Sequence, residues 1–71
     1  MEILVECYAG YQGDETPRRF RTGERDYEVE RVIDRWREPD YRCFKVLGQD
    51  GAIYILRQHV ESWRWELASP T

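Results

Sequence analysis

Apolar residues along this chain fall in short β-branched or aromatic runs, each cut off by Gly, Pro or Asp. Strands joined by turns have this pattern, because such side chains suit a pleated, half-buried surface. The first run, Ile3 to Tyr8, predicts a strand. A loop from Ala9 to Thr16 follows, with Gly10, Gly13 and Asp14, and Pro17 then opens the next strand, where its missing N–H is tolerated. Only Val29 to Trp36 carries even a weak helical stripe (Val29, Val32, Ile33, Trp36). It is read as strand because it continues out of a hairpin and is closed by Arg37-Glu38-Pro39-Asp40; a short helix is the alternative.

Two hairpins can be set in register by counting. With Gly23 and Glu24 as the central residues of a type II′ turn, Gly supplies the positive φ at the first position. Thr22 then faces Arg25, Arg21 faces Asp26, Phe20 faces Tyr27 and Arg19 faces Glu28. One face gains an aromatic pair and the other two opposite-charge pairs, each worth roughly 0.2–1 kcal/mol. A slip of one residue would spoil both faces together. Around Gln49-Asp50-Gly51, the inward candidates Phe44, Val46, Tyr54 and Leu56 share a face only if the loop holds an odd number of residues. A three-residue loop with Gly51 left-handed, forming a G1 bulge, meets that need. Val46 then faces Tyr54 and Phe44 faces Leu56, with Ile53 and Ile55 on the opposite side.

Gln58 to Ser62 predicts the final turn, and Trp63 to Leu67 the final strand, with Trp63, Trp65 and Leu67 on one face. Between Tyr27 and Trp36 the apolar positions shift from odd (Tyr27, Val29) to even (Val32, Trp36), which predicts a bulge near Glu30-Arg31. The expected fold is all-β: a small, strongly bent antiparallel meander or barrel of about six strands, SH3-like in size. It fills residues 1–71 as a single β domain. The alternative is α+β, with a short helix near 29–36.

Composition narrows the functional classes. A chain of 71 residues buries roughly 60% of the surface its unfolded form exposes, so the core is thin. No apolar run approaches the ~20 residues that span a bilayer. Met1 to Glu6 has an acidic residue at once and no basic stretch, so it does not read as a signal peptide. The expected location is cytoplasmic, with no membrane association. Cys7 and Cys43 lack a CxxC spacing and are expected as buried small hydrophobes rather than a disulfide. The net charge is −3, with ten Arg and one Lys (Lys45). Arg suits bidentate and stacked contacts, although a GC-rich bacterial genome produces the same skew. The acidic balance argues against non-specific nucleic-acid binding.

The residues that carry enzyme chemistry are sparse. His59 is the only histidine and lies in a predicted turn, where a solvated side chain is expected. Metal sites need three or four converging His, Cys or carboxylate ligands, and the candidates here are scattered. The carboxylates alternate with Arg (Glu28, Glu30-Arg31, Asp34-Arg35), which suits ion pairs on a solvated face. Gly10-x-x-Gly13 lacks the Lys-Ser/Thr of a phosphate loop. No enzyme activity, cofactor or metal is expected.

Two binding classes survive. Arg18-Arg19-Arg21 beside Tyr8, Tyr11 and Phe20 is the mixture that single-stranded nucleic-acid binders use, but the hairpin register gives Arg19 and Arg21 carboxylate partners. A second basic cluster, Arg31, Arg35, Arg37, Arg42 and Lys45, is interspersed with Asp34, Glu38 and Asp40. Ten aromatics in a barrel this small favour a protein partner, because Trp, Tyr and Arg dominate interface hot spots. Trp36, Trp63 and Tyr27 are expected in the core. The candidate binding surface is Tyr8, Tyr11, Arg18, Tyr41 and Trp65.

The arrangement Cys7-Tyr8-Ala9-Gly10-Tyr11, Pro17-Arg18-Arg19-Phe20, Val29 to Trp36, Phe44-Lys45-Val46, Asp50-Gly51 and Trp65-Glu66-Leu67 resembles a small bacterial family of uncharacterised cytoplasmic proteins. A related domain forms a tail on some proteins similar to lesion-bypass DNA polymerases. The resemblance implies a cytosolic β domain, carries over no catalytic residue, and adds a DNA-repair accessory role to the nucleic-acid alternative. The expected function is a non-catalytic binding module for a protein partner; the alternative is a single-stranded nucleic-acid binder.

Overall fold

A computed structural model describes residues 2–8 and 16–70. Six strands follow one another: β1 (Glu2–Tyr8), β2 (Thr16–Thr22), β3 (Arg25–Glu38), β4 (Tyr41–Gly48), β5 (Ile53–His59) and β6 (Trp65–Pro70). Each is antiparallel to its sequence neighbours, and β6 returns to β1 to close a barrel. Residues 29–36 are strand throughout, so the helical alternative is excluded.

Both hairpin registers are as counted. Thr22 pairs with Arg25, Arg21 with Asp26, Phe20 with Tyr27 and Arg19 with Glu28. Gly23 has φ +56°, and Glu24 does not share the positive φ, as a II′ turn requires. At the β4–β5 turn, Gly51 has φ +88°; its amide donates to the Gly48 carbonyl at 3.0 Å, and the Gly48 amide donates to the Ala52 carbonyl at 2.8 Å. Val46 faces Tyr54 and Phe44 faces Leu56.

β3 belongs to two sheet halves. Its first residues, Arg25 to Glu28, pair with β2, and Val29 to Glu38 pair with β4. The expected bulge is present: Glu30 is the extra residue between the Val29–Gly48 and Arg31–Leu47 pairs. A second, unexpected bulge makes Ile33 the extra residue between Val32–Val46 and Asp34–Lys45. It inverts the alternation beyond it. Val32 therefore packs against the core while Trp36 turns outward and is 37% exposed, which corrects its core assignment. Arg18 is a third extra residue, in β2, opposite the step between Glu6 and Cys7. Beside it, Pro17 is fully buried as the second residue of β2.

The core is Ile3, Phe20, Phe44, Val46, Tyr54, Leu56 and Trp65, with Val5, Cys7, Tyr27, Val29, Val32, Ala52 and Leu67 packed against it. Phe20 stacks on Tyr27 (centroids 4.9 Å apart) and meets Tyr54 edge-on at 5.2 Å. Tyr27 is thus half-buried at the core margin. Cys43 is buried, and that burial pushes its thiol pKa up; no disulfide joins it to Cys7.

The last turn falls two residues later than expected, at 60–64 rather than 58–62. β5 runs to His59 and β6 begins only at Trp65. The Trp63 amide donates to the His59 carbonyl at 2.9 Å, and Trp63 has φ +63°. Trp63 therefore lies in the turn, not on a strand face, and is 63% exposed, which corrects its core assignment. His59 is half-buried rather than solvated: its Nδ1 accepts from the Glu61 and Ser62 amides at 3.3 and 3.4 Å.

Candidate binding surface

On β1, Ile3, Val5 and Cys7 point inward, so alternation sends Leu4, Glu6 and Tyr8 to the outer face. An outer sheet face is ordinarily polar. Here Leu4 is 71% exposed and Tyr8 is 56% exposed. The Arg18 guanidinium lies 5.6 Å from the Tyr8 ring centroid, a cation–π contact made possible by the Arg18 bulge. Further along, Arg19 bridges Glu6 and Glu28 at 3.2 Å each, and Arg21 meets Asp26 at 3.5 Å. A groove of about 270 Å³ crosses this face, lined by Leu4, Glu6, Arg19, Arg21 and Asp26 with Val5 and Phe20.

The Trp63 turn adjoins the same strand. β1 and β6 meet through Glu2–Glu66 and Ile3–Trp65. Leu4 follows Ile3 and Trp63 precedes Trp65 by two residues, so both stand at one seam. Arg64 reaches Glu2 at 3.9 Å across it. Leu4 and Trp63 are each exposed beside this seam.

The structure brings Tyr8 and Arg18 together as part of this surface. Tyr41 is elsewhere, half-buried in the barrel wall, where the Arg57 guanidinium lies 4.4 Å from its ring centroid and His59 meets it edge-on at 5.3 Å. Arg57 in turn reaches Glu66 at 3.3 Å. Trp65 does not belong to a surface: it is 8% exposed, faces inward opposite Ile3 and Gln58, and packs on Phe44. Tyr11 lies outside the described residues. Leu4 and Trp63 were missing from the expected set. The alternation of Ile3, Val5 and Cys7 was the available signal for Leu4; Trp63 had none, because its exposure depends on where a turn falls.

The Tyr54 hydroxyl donates to Asp50 Oδ2 at 2.6 Å and pins the β4–β5 turn. Among the described residues no three His, Cys, Asp or Glu side chains converge as metal ligands. Compared with known proteins, the chain matches no family model, no curated protein and no solved structure.

Proposed function

We propose that this chain is a non-catalytic binding module for a protein partner, which docks on the outer face of β1 and the adjoining Trp63 turn. The observation that carries this reading is Trp63 itself. A left-handed backbone costs an L-residue roughly 1–2 kcal/mol. Glycine takes that conformation freely, and among the described residues none offsets the strain by burying the indole, which is 63% exposed. Trp and Tyr are the side chains that anchor interfaces, and Leu4 and Tyr8 are exposed along the outer face of β1, with Trp63 exposed in the turn that precedes its partner strand β6. The module needs no cofactor and works in the cytosol.

Site-specific photo-crosslinking tests this. A benzophenone amino acid replaces Trp63 in one version and Glu24, at the β2–β3 turn, in another. The Trp63 version yields a discrete protein adduct in a native lysate, and Leu4→Asp abolishes it while the fold is kept. Equal adducts at both positions, or none at Trp63, would refute the assignment.

A further inference from the structure

The inner face of the barrel is apolar except at one end. Inward positions on β4 are Val46, Phe44 and then Arg42, and on β5 they are Tyr54, Leu56 and then Gln58. Beyond its Ile33 bulge, β3 sets Arg35 opposite Phe44 and Arg37 opposite Arg42, so both share that inward face. Arg37, Arg42 and Gln58 therefore form one row across three adjacent strands, with Trp65 next to Gln58 on β6. Asp34, Trp36 and Glu38 alternate to the opposite face, and Asp40 lies in the connecting turn. Phe44 is the buried floor beside the row: the guanidinium carbons of Arg35 and Arg42 lie 5.7 and 5.9 Å from its ring centroid.

Arg37 and Arg42 stand directly opposite each other, and like charges so placed destabilise a sheet. Among the described residues no carboxylate forms an ion pair with either. Gln58 is only 3% exposed, and among the described residues its carboxamide makes no hydrogen bond. A buried amide without a partner is costly, and native structures rarely carry one. Its polar atoms are not sealed within the core, so they face the open end of the barrel. A groove of about 250 Å³ opens there beside Arg37, Arg42 and Phe44.

We infer that this end of the barrel binds a phosphate monoester group, held between Arg37 and Arg42 and by the Gln58 amide. The donor set selects the ligand chemistry. Two guanidinium forks and one carboxamide come from three strands and carry two positive charges. A monoester phosphate brings close to two negative charges and three acceptor oxygens, one for each donor side chain. A carboxylate brings one charge and two oxygens, which leaves a cation or the buried amide without a partner. Binding relieves the Arg37–Arg42 repulsion and satisfies Gln58 in one step. The site lies on the inner face of β3, β4 and β5, apart from the outer face of β1, and goes beyond the protein-binding reading.

The test is titration with methyl phosphate at constant ionic strength, followed by amide chemical shifts. Wild type binds, with the largest shifts at Arg37, Arg42 and Gln58, and acetate binds at least ~tenfold more weakly. R37Q combined with R42Q weakens methyl phosphate binding at least ~tenfold, as the loss of charge-assisted hydrogen bonds requires. Without ligand, that double variant melts no lower than wild type, because a repulsion has been removed. Gln58→Leu also weakens binding, and its ligand-free melting temperature does not fall. Leu4→Asp leaves binding intact, which separates this site from the protein-docking surface. A phosphoserine peptide identifies the source of the group: tighter binding than methyl phosphate supports a phosphorylated protein segment, and equal binding supports a small phosphate ester. The inference is overturned if methyl phosphate does not bind, if acetate binds as tightly, or if the double variant binds as wild type does.

Discussion

At the β4–β5 turn, Asp50 Oδ2 accepts from the Tyr54 hydroxyl at 2.6 Å and Oδ1 accepts from the Ala52 amide at 3.0 Å. These bonds, the Tyr54 one foremost, hold the Asp50 carboxyl below the usual carboxylate range, and the same contact pushes the Tyr54 phenol up to about 12. The two shifts act at opposite ends of the pH scale. A depressed carboxylate stabilises fully above its unfolded value of about 4, and that contribution is lost as pH falls through the folded value. A raised phenol stabilises fully below its unfolded value of about 10, and that contribution is lost as pH climbs from about 10 towards 12. Thermal melting against pH should therefore show an alkaline decline between about pH 10 and 12 that Asp50→Asn moves to lower pH; an unmoved decline would mean that the pair is not its source. Gly48 is part of the same construction, because a Cβ there would sit 2.6 Å from Asp50 Oδ1 and 3.1 Å from Tyr54 Cε2. Gly48→Ala should displace the carboxylate, at the roughly 1–3 kcal/mol typical of overpacking, and should shift the alkaline decline as Asp50→Asn does. Trp63 presents the reverse case. Trp63→Gly relieves the left-handed strain and should stabilise by about 1 kcal/mol in denaturant unfolding while abolishing partner docking, a gain in stability at the expense of function.

Among the strands, the β2–β3 hairpin was legible in the sequence because its turn fixes its pairing locally: Gly23 selects the turn and the turn selects the partners. Its charges give a graded prediction. Arg21 and Asp26 are a mostly exposed pair at 3.5 Å, so Arg21→Ala should cost no more than about 0.5 kcal/mol. Arg19 ties Glu6 on β1 and Glu28 on β3 across three strands, and its removal leaves two carboxylates facing each other. Arg19→Ala should cost about 1 kcal/mol, and urea titration of the two variants should rank them in that order. Equal losses would show that the three-strand bridge contributes nothing beyond a single pair. What stayed illegible followed from events that leave no local mark. The shift from Val29 to Val32 required a bulge near Glu30, but a second one at Ile33 was invisible, because Val32 and Trp36 already share a parity and a single bulge satisfied the pattern. That hidden residue moved Trp36 outward and gathered Arg35, Arg37 and Arg42 on one face. Trp65 failed as a surface candidate for a related reason: its inward orientation follows from pairing with Ile3, at the far end of the chain.

At the level of the barrel, closure is the weak step. Around the wall, β3, β4 and β5 pair along most of their length, from Val29–Gly48 to Glu38–Tyr41 and from Tyr41–His59 to Leu47–Ile53. Among the described residues, β1 and β6 join only through Glu2–Glu66 and Ile3–Trp65. Sub-global opening should therefore begin at this seam, with its amides exchanging by local fluctuation while those of Phe44, Val46, Tyr54 and Leu56 exchange only on global unfolding. Ile3 is buried in the seam, so Ile3→Ala should cost about 2–4 kcal/mol, a large share of the ~5 kcal/mol expected of a small domain. The same seam carries Leu4 and the Trp63 turn, which couples docking to closure. A protein partner seated there binds the closed barrel and not the opened one, so by mass action it should raise protection at the β1–β6 amides. Hydrogen exchange with and without the captured partner checks the assignment: no added protection at the β1–β6 amides would show that docking has been placed on the wrong strands.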